Sequence, residues 1–364
     1  MIDPIFNKYK IKFDILDSLK VKRPGVDKVC IYISLEMIFK TLFTPRVDEY
    51  ARETMDINDL KLSLISNIIN IGQHYRLYFA KSNIQSEIYL YWNFPECNYI
   101  NEKYIPSYKA YYTNKIFNND SVSYLLKGIT ECHDFLTKLI LFVNEVYLIE
   151  SRTVESSVLP YIIYKDRNDS ELIQNIIVSN DKYDLQYINE GFTILSPNGD
   201  NSKYITKQNV LQSLKDSLSV KTDMSITTNY LSFVLSILGN KYRNIQKITS
   251  MGLSGVIKQI NKAKDNFLVT DSTSSIDMLK AILDVRYQPQ FCINFRCTDI
   301  RTQYKEISEL DRYNVLSLVE DKYDDVALLT IDEKYFQNHP LMLINTKREQ
   351  LSNTRVNTKN IFDR

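Results

Sequence analysis

The sequence predicts a three-layer α/β/α domain with a mostly parallel central sheet, followed by a helical C-terminal region. Two observations support this prediction: short apolar runs that resemble buried strands, and longer helix-like patterns between them, at 60–80 and 123–146. The runs are VCIYI at 29–33, IYLYW at 88–92, VYLI at 146–149 and IIV at 176–178. Parallel strands are buried on both faces and need helical crossovers, so this alternation indicates βαβ units.

A turn-like segment at 195–204 separates this pattern from a second one. Beyond residue 208 the apolar residues recur at helical spacing, and the last residues of the chain are basic and polar. We therefore predict an α/β domain at 1–207, a helical region at 208–345 and a flexible basic tail at 346–364.

The composition excludes several classes of protein. The net charge is +1, so nucleic-acid binding would have to come from local patches. Eight glycines are far fewer than the usual ~7%, and no glycine-rich phosphate-binding loop occurs. Five scattered cysteines predict a reduced, cytoplasmic protein, and without a signal peptide or a long apolar run we expect no membrane contact. Frequent Ile, Asn, Lys and Tyr have AT-rich codons, which suggests a viral genome.

Polar residues come after each predicted strand. Ser34 follows the first strand and Asn93 the second, while 155–158 (ESSV) and 181–183 (DKY) come after the third and fourth. The helical region adds LGNKYRN at 238–244. Because the carboxyl ends of parallel strands lie at one edge of the sheet, we expect these side chains to converge there.

The order and spacing of these segments resemble the 5′-nuclease superfamily of flap endonucleases and 5′–3′ exonucleases, and most closely T-even phage ribonuclease H. Asn93 with Tyr108 and Lys109 corresponds to the second motif of this family, 179–187 to its SDxDxxQL block, and 239–244 to its GDxxDN block. The resemblance covers about residues 29 to 260. It implies a PIN-like fold, with a helix–two-turn–helix-like element at 244–264 that contacts DNA.

The resemblance also implies a carboxylate cluster that binds two divalent metal ions, and most of that cluster is replaced here. Such ions need several oxygen ligands, mostly anionic. Glu155 and Asp181 remain as vestigial ligands, weak at best, so we expect no catalytic residues and no cofactor, with Mg²⁺ only in an active protein. The replaced positions are Ser34, Asn93, Ser157, Val158, Tyr183, Asn240 and Arg243.

Two neighbouring carboxylates are candidate replacement ligands. Asp184 follows the replaced position at Tyr183, but one residue along a helix turns a side chain by about 100°, so we expect it to point elsewhere. Glu36, two residues after Ser34, is a weak candidate. We expect Asp181 to accept hydrogen bonds, from Arg243 or from a hydroxyl.

A nucleic-acid-binding surface is predicted from lysines interleaved with tyrosines and from a glycine at the start of a helix. Aromatic rings stack on bases, lysines contact phosphates, and backbone N–H groups at a helix start hold phosphate. The alternative is that the tyrosines pack on helices and the glycine forms an ordinary turn. An arginine expected from the resemblance is Asn101 here. The predicted binding residues are Lys103, Tyr108, Lys109, Lys115, Gly252 and Lys258.

Three functions stay open, because a fold alone does not decide between them. The first is a catalytically degenerate protein that binds forked or single-stranded DNA, or replication or transcription proteins, during DNA replication, recombination or transcription. The second is an active, divergent 5′–3′ exonuclease or ribonuclease H with fewer metal ligands. The third is a scaffold or virion subunit that uses the fold without contacting nucleic acid.

Overall fold

The structure is a computed structural model in which the described residues form the sheet and the helices around it. They are 26, 28–35, 85–93, 99–108, 146–151, 154–166, 173–196, 203–218, 227–240, 243–248, 252–263 and 288–307. The helical patterns predicted at 60–80 and 123–146, Glu36 and the predicted tail lie outside these residues.

A sheet in the strand order β3-β2-β1-β4-β5-β6 lies at the centre of the described structure. Strands β1 to β5 pair in parallel, and only the edge strand β6 runs antiparallel to its neighbour. The predicted mostly parallel sheet is therefore confirmed, and each predicted strand lies within an observed one. The strands are β1 Lys28–Ser34, β2 Gln85–Asn93, β3 Val146–Ser151, β4 Ile173–Val178, β5 Thr193–Ser196 and β6 Lys203–Ile205.

The segment predicted as a turn at 195–204 is shorter than expected. Its first two residues belong to β5 and its last two to β6. Strands of four and three residues contain too few positions to show a periodic pattern.

Along the chain, helices lie between β2 and β3 and between β3 and β4, and the described elements from Val210 onward are all helical, which agrees with the predicted α/β part followed by a helical C-terminal region. Their bounds are α1 Tyr99–Tyr104, α2 Leu159–Asp166, α3 Val210–Ser217, α4 Leu231–Leu238, α5 Leu253–Ala263, α6 Gln288–Thr298 and α7 Ile300–Glu306. Short 3₁₀ helices span Ser156–Val158, Lys182–Glu190 and Thr228–Tyr230. Among these helices, none is long and apolar enough to cross a membrane.

One continuous apolar core joins the sheet to the helices. It includes Ile177 of β4, Phe233 of α4, Ile257 of α5 and Phe291 of α6, all of them buried. Burying this much apolar surface is the main favourable contribution to folding, so the core holds the helical region against the sheet.

The abundant tyrosines contribute to the packing of the sheet. Tyr32, Tyr89 and Tyr147 are cross-strand neighbours on β1, β2 and β3, and their rings stack with centroid distances of 5.2 and 5.1 Å. Cross-strand aromatic pairs of this kind stabilise a sheet beyond the area they bury.

Candidate functional site

The parallel sheet brings four of the predicted positions to one edge. Ser34 ends β1 and Asn93 ends β2. Glu155 lies four residues beyond the end of β3, and Asp181 lies three residues beyond the end of β4. Because these four strands are parallel, their carboxyl ends lie along the same side of the molecule.

Asp181 caps the 3₁₀ helix that follows β4. Its Oδ1 accepts a hydrogen bond from the backbone N–H of Tyr183 at 2.9 Å, and its own N–H donates to the Ser179 hydroxyl at 3.0 Å. Aspartate is favoured at such positions because its carboxylate satisfies an N–H group that the helix leaves unpaired. These two hydrogen bonds hold Asp181 in place within its own segment, independently of the helical region.

Glu155 occupies the equivalent place after β3, just before a 3₁₀ turn whose first hydrogen bond runs from the Val158 N–H to the Glu155 carbonyl at 3.0 Å. Its side chain makes no capping bond and extends into the interior, where the residue is 2% exposed. Its carboxylate accepts hydrogen bonds from the Asn101 side-chain amide and, at 2.8 Å, from the Tyr108 hydroxyl.

A tight loop after α4 delivers Arg243 to these carboxylates. Asn240 and Ile245 exchange two backbone hydrogen bonds, of 2.8 and 2.9 Å, which closes the loop with Arg243 inside it. Gly239 is required at its base, since it has a positive φ of 67° and a Cβ there would lie 2.5 Å from the Ile245 carbonyl oxygen. Asn244 also has a positive φ, which asparagine tolerates better than most residues.

The Arg243 guanidinium lies between the two remaining carboxylates. Its Nη2 and Nε donate to Asp181 Oδ2 at 2.8 and 2.9 Å, and its Nη1 is bonded to Glu155 Oε1. Nη1 also donates to the Tyr108 hydroxyl at 2.6 Å, and Cζ lies 4.0 Å from the centroid of the Tyr183 ring. One planar guanidinium thus donates to two carboxylates at once while an aromatic ring lies against its face, a combination that the compact ammonium group of lysine does not provide.

The charges of this cluster stabilise one another. Burial opposes the charge on Arg243, but Asp181 and Glu155 outweigh it, and the pKa of the guanidinium is raised well above its ordinary value. Burial likewise raises the pKa of the Tyr108 hydroxyl, which therefore stays protonated. The cluster of Arg243, Glu155, Asp181 and Tyr108 is a closed hydrogen-bonded network at neutral pH.

The described residues do not fit a two-metal site. Divalent ions need several anionic oxygens, whereas the two carboxylates here already accept bonds from a guanidinium that carries its own positive charge. No group of three or more His, Cys, Asp or Glu within the described ranges is arranged to hold a metal ion.

Asp184 lies beside this cluster without being bonded to Arg243. Its Oδ2 accepts a hydrogen bond from the Ser179 hydroxyl at 2.5 Å, while Oδ1 has no hydrogen-bond partner among the described residues. Burial and the nearby charge of Asp181 raise the pKa of the Asp184 carboxyl to about 7. Asp184 thus makes no hydrogen bond to the guanidinium, and it lies in a 3₁₀ helix and not in the α-helix on which the expectation about its orientation was based.

The replaced positions differ in what they contribute. Asn240 donates to Asp181 Oδ1 at 3.1 Å and its side chain accepts from the Arg243 N–H at 3.2 Å, while Ser157 lies 3.5 Å from Arg243 Nη1. Val158 and Tyr183 are buried in the core around them. These contacts are structural, and the functional role of each position stays a prediction.

The predicted nucleic-acid-binding residues separate into three groups. Lys103, Gly252 and Lys258 are exposed, as such a role requires. The expectation for Tyr108 is wrong, because a ring that is 3% exposed and bonded to Glu155 and Arg243 has no face on which to stack a base. Lys109 and Lys115 lie outside the described residues.

Asn101 has a role that the sequence did not indicate. It is fully buried, its amide donates to Glu155 Oε2, and its carbonyl oxygen accepts from the Cys297 thiol at 3.3 Å. The resemblance marked this position only as the place of a missing arginine. In the sequence, Asn101 is singled out only by its location seven residues before Tyr108. In the structure, Tyr108 also contacts Glu155.

A largely parallel sheet followed by helices is consistent with the fold of a 5′-nuclease. No family model matches the sequence, and no curated protein matches it. Among solved structures, the chain is similar to the flap endonuclease of bacteriophage T5 in a pseudo-enzyme–product complex with DNA and metal ions. The TM-score is 0.51 and the identity 12%, over 82% of this chain and 100% of that one.

A second structure of the T5 protein, co-crystallised with metal ions, matches with the same TM-score at 11% identity, over 82% of this chain and 100% of that one. Identity this low shows a shared fold and nothing further. The resemblance to the 5′-nuclease superfamily is therefore confirmed in the fold. The closer resemblance to T-even phage ribonuclease H stays a prediction.

Proposed function

We propose that this chain is a catalytically degenerate 5′-nuclease-like protein that binds forked or single-stranded DNA without cleaving it. The observation that carries the proposal is the Arg243 guanidinium bonded to both remaining carboxylates. Cleavage by two metal ions uses carboxylates that bind the cations on either side of the phosphate. Here both carboxylates are bonded to one cationic side chain of the protein itself, which offsets one of their two negative charges.

Exposed cations beside an aromatic ring support the binding half of the proposal. Lys103 Nζ and Arg296 Cζ lie 5.3 and 5.9 Å from the centroid of the Tyr104 ring, on the facing helices α1 and α6. Cations combined with aromatic rings suit single-stranded nucleic acid, through phosphate contact and stacking. The T5 flap endonuclease structure, which has the same fold, is a complex with DNA.

The setting we propose is viral DNA replication, recombination or transcription, in the cytoplasm of a host cell such as a phage-infected bacterium, with replication or transcription proteins as further partners. The frequent Ile, Asn, Lys and Tyr, with their AT-rich codons, support a viral source.

The test combines a binding and a cleavage assay on forked DNA and RNA–DNA duplexes in Mg²⁺ or Mn²⁺. Binding should weaken linearly in log[salt], while the substrate stays intact. The variant Lys103→Ala/Arg296→Ala should flatten that salt slope by up to about 1.4, because each cation that contacts a single-strand phosphate contributes about 0.7 to it. The matched control Lys203→Ala/Lys207→Ala removes two exposed cations at the β6 edge and should leave the slope unchanged.

Two outcomes would overturn the proposal in different ways. Cleavage that disappears with Asp181→Ala would show an active nuclease. An absence of binding at low salt would point to a scaffold that uses the fold without nucleic acid.

A further inference from the structure

We propose that Arg243 is a permanent counter-cation for the sheet edge: its guanidinium is bonded to both Glu155 and Asp181 and offsets one of their two negative charges, which holds the edge together without any divalent metal. Without this guanidinium, the two carboxylates become a site that takes a divalent cation. This role concerns how the helical region packs against the sheet edge. It does not require that the protein bind nucleic acid, so the role of Arg243 and the proposed function can fail separately.

The position of Arg243 in the fold supports a role in joining the helical region to the sheet edge. It comes from the loop after α4 and reaches residues that lie beyond three other elements: Tyr108 after α1, Glu155 after β3 and Asp181 after β4. These partners are 135, 88 and 62 positions away along the chain. A single side chain therefore connects the helical region to two strand ends and to the α1 segment.

A second contact joins the loop after α4 to the α1 segment. The Asn244 side-chain amide donates to the Ser107 carbonyl at 2.7 Å, next to the contact between Arg243 and Tyr108. The loop and the α1 segment thus meet through two successive residues on each side.

The charge balance explains why a cation is needed here. Glu155 is 2% exposed and the Asp181 side chain is 19% exposed, so water reaches Glu155 hardly at all. A carboxylate buried without a counter-charge is strongly destabilising, and removing one partner of a buried ion pair exposes that cost. Arg243, itself only 4% exposed, is the cation bonded to both carboxylates in the described structure.

The chemistry of the donor set predicts the consequence of removing the guanidinium. Asp181 and Glu155 would then face one another across the space that it fills, with the Asn240 amide and the Ser157 hydroxyl next to them. Carboxylate, amide and hydroxyl oxygens are ligands that Mg²⁺ and Mn²⁺ accept. Arg243→Met keeps much of the side-chain length while it removes the charge.

The experiment measures thermal unfolding of the full chain in EDTA and in excess MnCl₂. The wild-type midpoint should be the same in both. Arg243→Met should unfold at a lower temperature than the wild type in EDTA and should regain part of the difference in MnCl₂, because an ion that binds only the folded state stabilises it. The triple variant Arg243→Met/Glu155→Gln/Asp181→Asn, which lacks the guanidinium and both carboxylates that it bonds, should not respond to Mn²⁺.

If Arg243→Met does not fold, the triple variant shows whether the lost charge or the lost shape of the arginine is the cause. A folded triple variant would support the proposal, because uncompensated carboxylates would then be the cause of the failure. An unfolded triple variant would overturn it, because the shape of the arginine and not its charge would be what matters. Two further results would overturn the proposal: a wild-type midpoint that rises in Mn²⁺ more than that of the triple variant, or a folded Arg243→Met that does not respond to Mn²⁺.

Discussion

Carboxylates that are buried or partly buried lie at both ends of the central strands, and they are paired with cations in different ways. At the amino-terminal end, Glu87 of β2 pairs with Lys28 of the adjacent β1, with 2.7 Å between Nζ and Oε1. At the carboxyl-terminal end, Arg243 of the helical region pairs with Glu155 and Asp181. Both arrangements bury ion pairs, but only the second joins segments that the sheet does not already hold together.

This comparison indicates that an ion pair matters most for the fold where it is the contact that joins two segments. Strands β1 and β2 are paired along the whole length of β1, so Lys28 and Glu87 would stay close even without their charges. The two carboxylate partners of Arg243 are 62 and 88 positions away from it, and no strand pairing connects its loop to them in the described structure. The cost of breaking each pair should therefore differ, and so should the part of the molecule that responds.

The largest effect is expected for Arg243→Met. Removing one partner of a buried ion pair typically costs about 3–5 kcal/mol of unfolding free energy, and here two carboxylates lose the same partner. Urea unfolding monitored by far-UV circular dichroism measures this cost. If Arg243→Met costs no more than Lys28→Met, the two ends of the strands do not differ as described.

A smaller effect is expected for Lys28→Met, of about 1–3 kcal/mol, the usual cost of an unsatisfied buried group. The Lys28 and Glu87 side chains are 13% and 9% exposed, and Glu87 Oε2 keeps its hydrogen bond from the Tyr89 hydroxyl at 2.7 Å. The same urea titration measures it. A change in the m-value would indicate that the unfolding reaction itself had changed, which the local nature of this pair does not predict.

Two tyrosine hydroxyls allow a finer comparison of the two ends. The Tyr108 hydroxyl donates to Glu155 and accepts from Arg243, so Tyr108→Phe should cost about 1.5–3 kcal/mol, the range for hydrogen bonds to charged groups. The Tyr89 hydroxyl also donates to a carboxylate, that of Glu87, but it is only partly buried, so water can replace it in Tyr89→Phe and the cost should be smaller, about 0.5–1.5 kcal/mol. Equal costs in the two variants, measured by urea unfolding, would show that the two ends do not differ in this way.

The last comparison concerns Asp184, and its effect is measured as a dependence of stability on pH and not as a loss at one pH. No cation among the described residues is bonded to the buried Asp184 carboxyl, and its pKa of about 7 lies above the ordinary value of 3.8. A raised pKa favours the protonated form in the folded state, so the wild type should lose stability relative to Asp184→Asn as the pH rises from about 4 to about 7. Unfolding free energies of both proteins across this range provide the test, and parallel curves would contradict the assignment.

The parts of the fold that depend on local pattern could be predicted from the sequence. Apolar runs located the first four strands, because buried parallel strands are continuous in their apolar character. Helix α6 lies inside the predicted helical region, but its location could not be predicted, since its sequence QPQFCINFRCT has no clear apolar spacing and its burial is decided by the elements packed around it. Strands β5 and β6 were too short to recognise.

The sequence predicted which residues form the candidate site better than it predicted the contacts between them. Asp181 was expected to accept bonds from Arg243 or a hydroxyl, and the bond to Arg243 is observed. The burial of Tyr108 was not predictable, because it depends on Arg243, 135 positions away, and on a loop geometry set by Gly239. Contacts between segments so far apart leave no periodic signal in the chain.

The most direct test of Arg243 as the resident counter-cation is the binding of Mn²⁺ to the wild-type protein, monitored by the electron paramagnetic resonance signal of the free ion. With Arg243 bonded to both carboxylates, we expect the signal of added Mn²⁺ to remain that of the free ion, equal to that of the Glu155→Gln/Asp181→Asn variant. A saturable decrease of that signal in the wild type that Asp181→Asn abolishes would contradict this role, because it would show that these carboxylates bind metal despite the guanidinium.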